Sequence, residues 1–103
     1  MIIAITAFTL PKPITHGEAR AIFLSTAPTY QGVPGLLRKH YVLSEDGGTA
    51  GGVYLWESRA DAEAMYTDAW RTFVREKYGT EPTVTWFDSP VMVDNVAQQV
   101  FTY

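Results

Sequence analysis

Arg38, Lys39 and His40 put two cations and an imidazole on three consecutive residues, and Tyr54 and Trp56 follow two apart beyond a glycine-rich stretch. On strands, residues two apart share a face. Pairing Val42 with Gly52 across a hairpin would set His40 opposite Tyr54 and Arg38 opposite Trp56, gathering a cation, a base, a phenol and a flat apolar wall. A one-residue slip sends two of the four to the opposite face. Such a set suits an electron-rich aromatic molecule, deprotonated in a dry pocket by one base beside one anion stabiliser. His40, whose ordinary pKa of about 6.5 fits proton transfer near neutrality, is the candidate base and Arg38 the candidate anion stabiliser. Tyr54, Trp56 and Lys39 are the candidate substrate-binding residues. Each has a plainer reading: His40 as a hydrogen-bonded strand residue, Lys39 as an edge lysine that snorkels to water, Arg38 as an interface ion-pair partner, and Tyr54 and Trp56 as core.

Other chemistries lack the residues they need. The chain has no cysteine, which removes disulfides, thiolate metal ligands and cysteine nucleophiles. Its two histidines, His16 and His40, lie on separate segments and supply no three-ligand metal site. The glycines of GGTAGG sit in a hairpin with no Lys-Ser/Thr pair and no helix start behind them, unlike a phosphate loop. A net charge of −3 offers no basic surface for nucleic acid. The apolar opening run ends at Pro11 with no basic residues before it, so neither a membrane span nor a signal peptide is expected, and a cytoplasmic protein is. With 103 residues, 47% of them hydrophobic, a single domain over 1–103 is expected.

The elements that must hold these residues can be read in order. Ile2–Leu10 is rich in β-branched residues and stops at Pro11, the pattern of a first strand. Thr15 and Glu18 fit a capping box, and Ala19, Ile22, Phe23 and Thr26 form one helical stripe that ends before Pro28. Val33-Pro34-Gly35 makes a turn; Leu36–Leu43 and Gly52–Trp56 are the two strands of a hairpin around Glu45–Gly48. Ser58 with Asp61 caps a second helix from Arg59 to about Tyr78, with Ala62, Met65, Tyr66, Ala69 and Phe73 as its stripe and Trp70 on the flank. Thr67-Asp68 is a point at which it can restart or kink, and Gly79 is its stop. Thr83–Asp88 is the fourth strand, with Val91–Val93 as an edge extension. Together these give an α+β, ferredoxin-like βαββαβ fold with an antiparallel sheet and both helices on one face.

That arrangement leaves one sheet face uncovered, yet the strands are apolar on both sides. Ile3, Ile5 and Ala7 alternate with Ile2, Ala4 and Phe8; Val53 and Leu55 alternate with Tyr54 and Trp56; Val84 and Trp86 lie on the face opposite Phe87. A sheet facing water should alternate apolar with polar. A second copy related by a two-fold axis is the expected cover, with the tail Val96–Tyr103 folding over the face as the alternative.

With these residues in place, the runs PGLLRK, GGVYLWESRADAEAMY and TVTWFDSP make the sequence similar to the YdhR-like monooxygenases. These are members of the dimeric α+β barrel superfamily related to the antibiotic-biosynthesis monooxygenases. The resemblance covers roughly Tyr30 to Val100. It implies a homodimer with a cavity in each protomer between sheet and helices. It also implies oxidation of phenolic or anthrone-like polyketides to quinones by molecular oxygen, without metal or flavin. Those enzymes carry an asparagine four residues before the strand-three tryptophan; Trp56 matches the tryptophan, and Gly52 stands at the asparagine position. Haem-degrading members ligate iron through a histidine on the second helix, and Arg59–Tyr78 has none, so no haem is expected. Two functions follow: a cofactor-independent monooxygenase acting on a small aromatic, or a non-catalytic, dimeric small-molecule-binding module using the same pocket.

Overall fold

The computed structural model describes residues 1–103 as β1 (Ile2–Thr9), α1 (His16–Tyr30), β2 (Leu36–Leu43), β3 (Thr49–Trp56), α2 (Arg59–Met65), α3 (Asp68–Tyr78), β4 (Thr83–Asp88), β5 (Val91–Asp94) and β6 (Gln99–Thr102). β1 to β4 form one antiparallel sheet in the order β2-β3-β1-β4. The fold is ferredoxin-like α+β, with three helices where the sequence suggested two.

Register decides which side chains meet. One row across the sheet runs Trp86, Ala4, Tyr54, Lys39, and the next runs Val84, Thr6, Gly52, Tyr41. Ala4, Thr6, Tyr54 and Trp56 are buried, as are Ala62, Trp70 and Val74 of the helices, so this face carries the core. The intervening rows, Phe87-Ile3-Leu55-Arg38 and Thr85-Ile5-Val53-His40, point the other way. Ile5 and Phe87 stay 36% and 50% exposed there, confirming that the second face is apolar and not covered by a helix.

Caps place the helices. Thr15 accepts from the Glu18 N–H at 3.1 Å while the Glu18 carboxylate accepts from the Thr15 N–H at 3.0 Å, the reciprocal pair expected from the sequence. α1 does not stop before Pro28 but runs on to Tyr30. Pro28 removes one backbone donor in the last turns, and its lost partner would be the carbonyl of Leu24, a residue 63% exposed and open to water.

The second helix breaks. Tyr66 leaves helical geometry at φ −80°, ψ 60°, and Thr67 caps a new helix by accepting from the Trp70 N–H at 3.2 Å. This offset turns Trp70 and Val74 inward and leaves Ala69 and Phe73 exposed, reversing the inward stripe expected of one continuous helix.

The C-terminal segment also departs from expectation. Val91–Asp94 does not extend β4; it pairs with Gln99–Thr102 in a separate hairpin. Asp94 turns it by accepting from the N–H groups of Val96 and Ala97, both at 3.0 Å. Val93, Val96 and Val100 remain at least 64% exposed on this hairpin.

Candidate functional site

The strand β2 residues divide between two sites because of the hairpin register: Val42 pairs with Gly51, not with Gly52. Lys39 therefore faces Tyr54, and His40 faces Val53; a bulge between Leu36 and Arg38 shifts only the far end, where Leu36 pairs with Trp56. The set Arg38, His40, Tyr54, Trp56 is not assembled: the first two lie on the open face, the last two on the helix face. Lys39 joins Tyr54 and Trp56 instead.

On the helix face, Lys39 Nζ lies 3.2 Å from the ring centre of Tyr30, 3.6 Å from that of Tyr41 and 4.8 Å from that of Tyr54. The ion pairs of the molecule are Arg59–Glu63 and Arg75–Glu81, so Lys39 has no carboxylate partner. Burial without a counter-charge pushes its pKa down from the ordinary lysine range to about 7. Three ring faces oppose this by favouring the ammonium, each worth about 0.5–2 kcal/mol. The amine is thus poised between charged and neutral forms near physiological pH.

The surrounding phenols cannot play that part. Burial raises the pKa of Tyr54 far above the ordinary tyrosine range, with the nearby Tyr30 and Tyr66 adding to it, and Tyr41 and Tyr66 are raised by the same cause. They remain neutral hydrogen-bonding groups. Tyr41 shares a 2.8 Å hydrogen bond with the Thr26 hydroxyl, Trp56 Nε1 donates to the Tyr66 hydroxyl at 3.1 Å, and Trp70 Nε1 donates to the Tyr30 hydroxyl at 3.2 Å. Tyr54 stacks on Trp56 with 6.2 Å between ring centres, and Tyr66 meets Tyr54, Trp56, Trp70 and Trp86 edge-on.

The space left beside Lys39 is small. A void of about 20 Å³ is walled by Thr6, Thr26, Tyr30, Lys39, Tyr41 and Tyr54 among others. That holds roughly one water-sized molecule. Gly52 is part of the reason the lysine fits: a Cβ there would stand 3.1 Å from Lys39 Cε and 2.9 Å from Tyr54 Cε1. Any side chain at position 52 would compete with Lys39 for this room.

On the open face, Arg38 and His40 line a separate cavity of about 340 Å³ together with Ile3, Val53, Leu55 and, from the C-terminal hairpin, Val91, Val93 and Tyr103. No three His, Asp or Glu side chains anywhere cluster as metal ligands would.

Tyr30, Tyr41, Tyr66 and Trp70 were not singled out from the sequence as site residues. Tyr41 was recoverable, two residues from Lys39 on the same strand. Tyr66 stands in the expected stripe of the second helix and Trp70, four residues on, beside it on the flank. Tyr30 was hidden by the expectation that its helix ends before Pro28.

No curated protein matches the sequence significantly. Solved structures do. The monooxygenase from the gene ActVA-Orf6 of Streptomyces coelicolor, in complex with nanaomycin D, is 20% identical over 85% of this chain and 86% of its own, with a TM-score of 0.65. SnoaB, a cofactor-independent oxygenase from Streptomyces nogalater, is 14% identical over 85% of this chain and 91% of its own, with a TM-score of 0.61. An antibiotic biosynthesis monooxygenase structure is 17% identical over 86% and 98% of the two chains, with a TM-score of 0.65. At these identities the likeness is one of fold. The family described as "Putative mono-oxygenase ydhR" matches residues 3–89, from the start of β1 through β4, and the chain belongs to that family.

Proposed function

We propose that the chain is a cofactor-independent monooxygenase for a small phenolic, polyketide-like aromatic, with Lys39 as the base and Tyr54 and Trp56 as the ring-binding wall. The observation that carries this reading is Lys39 itself: a half-buried amine with no carboxylate partner, held against tyrosine faces.

The neutral amine takes the phenolic proton and becomes an ammonium beside the phenolate it has made. The ring face of Tyr41 stabilises that ammonium, and the ammonium stabilises the anion. The electron-rich phenolate then reduces dioxygen. One oxygen atom bonds to the ring carbon para to the phenolate oxygen; the other leaves as water with the proton held by Lys39 and the hydrogen lost from that carbon, and a quinone and the neutral amine remain. The aromatic walls exclude bulk water from the anion.

The chain resembles enzymes that carry an asparagine where Gly52 stands. Here the glycine admits Lys39, so the polar group of the site comes from β2 rather than from β3. We further read the active form as a cytoplasmic homodimer joined through the open sheet face, on the strength of its exposed apolar residues.

A second reading has support from the open-face cavity, where His40 would be the base and Arg38 the anion stabiliser. Oxygen uptake with 1,5-dihydroxynaphthalene separates the two. Loss in Lys39→Met with retention in His40→Ala supports the lysine site, and the reverse supports the histidine. Binding without uptake in the wild type leaves the chain a small-molecule-binding module.

A further inference from the structure

The void at Lys39 is too small for any ring, so a substrate reaches it only if a wall moves, and one side chain stands between the void and two larger cavities on the helix side. Tyr30 lines the void of about 20 Å³ around Lys39. It also lines a cavity of about 280 Å³ at the β2 edge, with Gln31, Leu36 and Lys39, and another of about 280 Å³ between α1 and α3, with Val33, Met65, Trp70 and Phe73. We propose that Tyr30 is the gate of the active site: its displacement joins these spaces into one chamber that admits an uncharged, planar ligand of two or more fused rings. The inference rests on the reading of Lys39 as the catalytic base, and deepens it by naming the entry route and the residue that sets it.

The local structure suits that part. Tyr30 is the last residue of α1; Gln31 has extended backbone and Gly32 has φ +76°, so the side chain sits where the helix gives way to a turn. Its closed position is held by a hydrogen bond from Trp70 Nε1 at 3.2 Å, with the Tyr54 hydroxyl also beside it. The rest of its contacts are face or edge packing: Lys39 Nζ on the ring, and Tyr41 and Tyr54 edge-on at 6.1 and 6.0 Å between centres. None of these is lost irreplaceably when an aromatic ligand enters, because its ring offers Lys39, Tyr41 and Tyr54 the same kind of face.

The α1–α3 cavity is the better mouth. Six of its seven lining residues are Tyr30, Val33, Met65, Ala69, Trp70 and Phe73, with no charged group among them, and Phe73 is 37% exposed at its rim. The β2-edge cavity carries Gln31, Arg38 and Lys39, which favours water over a fused ring system.

The test is stopped-flow binding of 1,5-dihydroxynaphthalene under argon, read by the emission of the ligand, so that no turnover is required. Tyr30→Phe and Trp70→Phe each remove the same hydrogen bond and should speed association by roughly two- to tenfold. The double variant should be no faster than the faster single one. Tyr30→Ala should bind at least tenfold faster than wild type. Thermal unfolding of each variant establishes that it is folded, and the two Phe variants carry the test if Tyr30→Ala is not. Association rates equal to wild type in both Phe variants, or no binding by wild type and Tyr30→Ala alike, overturn the gate. Accelerated binding in these variants supports the gate even if oxygen uptake is absent, in which case the catalytic reading alone falls.

Discussion

Lys39 Nζ lies 3.2 Å from the ring centre of Tyr30, inside hydrogen-bonding distance of nothing acidic. An amine in this position has lost most of its hydration and gained only polarisable ring faces in return. Its protonation state is therefore the property of the site most open to measurement.

The rate of phenol oxidation should rise with pH through about 7 and then level, because only the neutral amine accepts the phenolic proton. Lys39→Met should lower turnover of 1,5-dihydroxynaphthalene by about 10²–10⁴, the usual worth of a positioned base, and should abolish that rising limb. His40→Ala should keep both. A rising limb that survives in Lys39→Met and vanishes in His40→Ala would move the base to the open face.

The same lysine should shape stability. Its pKa is lower folded than unfolded, so between about 7 and 10.5 the unfolded chain binds more protons and stability climbs with pH. Below pH 7 the ammonium is buried in the folded state and that stability, on the order of a few kcal/mol, is missing. The tyrosines act in the other direction. Tyr78, pushed up to about 12 by burial, and Tyr54 and Tyr66 beyond it, stay neutral while their unfolded forms ionise near 10. Stability should then fall above pH 10. Chemical denaturation across pH 6 to 11 should show a maximum near 9–10 for wild type, and Lys39→Met should flatten the acid side and be more stable at pH 7, by about 1 kcal/mol or more.

What the sequence made legible follows from how local each signal is. The strands, the Thr15–Glu18 cap and the apolar second face are written in adjacent residues, and all are present. The site was less legible because it depends on register. The hairpin pairs Val42 with Gly51 rather than Gly52, and that one-residue difference parts His40 from Tyr54 and delivers Lys39 to it. The break at Tyr66 is a second case: Thr67 hinted at a restart, but only the resulting rotation shows that Trp70, not Phe73, faces the core. Tyr30 falls past a proline, where helix signals in sequence are weakest.

Trp56 should prove to be a stability residue as much as a ring wall. It is fully buried, stacks with Tyr54 and donates to the Tyr66 hydroxyl at 3.1 Å. Trp56→Ala should cost about 3–5 kcal/mol in urea unfolding, the range for emptying a large aromatic site. Trp56→Phe keeps most of the apolar volume but leaves the Tyr66 hydroxyl without its donor. It should cost about 1–3 kcal/mol beyond the smaller packing loss, with the fold retained. A Trp56→Phe chain as stable as wild type would show that the hydrogen bond contributes nothing.

The last expectation concerns the open face. Ile5 is 36% exposed, Val42 39% and Phe87 50%, and the nearby hairpin adds Val91 at 54% and Val93 at 64%. Phe87 ends the row Phe87-Ile3-Leu55-Arg38, so it stands at the β4 edge of an apolar band that runs across β4, β1 and β3. A second copy laid on this band would cover it without altering the protomer, and a stable interface of this kind buries above about 1,000 Å² in total. Sedimentation velocity at low micromolar concentration should find a dimer for wild type. Phe87→Arg, which puts a charge into that band at a half-exposed position, should shift the protein to monomer. The unfolding transition of the separated protomer should then move to lower temperature, because the partner's contribution to stability is lost by mass action. A wild-type chain that sediments as a folded monomer would overturn this, and would leave the exposed C-terminal hairpin as the remaining candidate to cover the face.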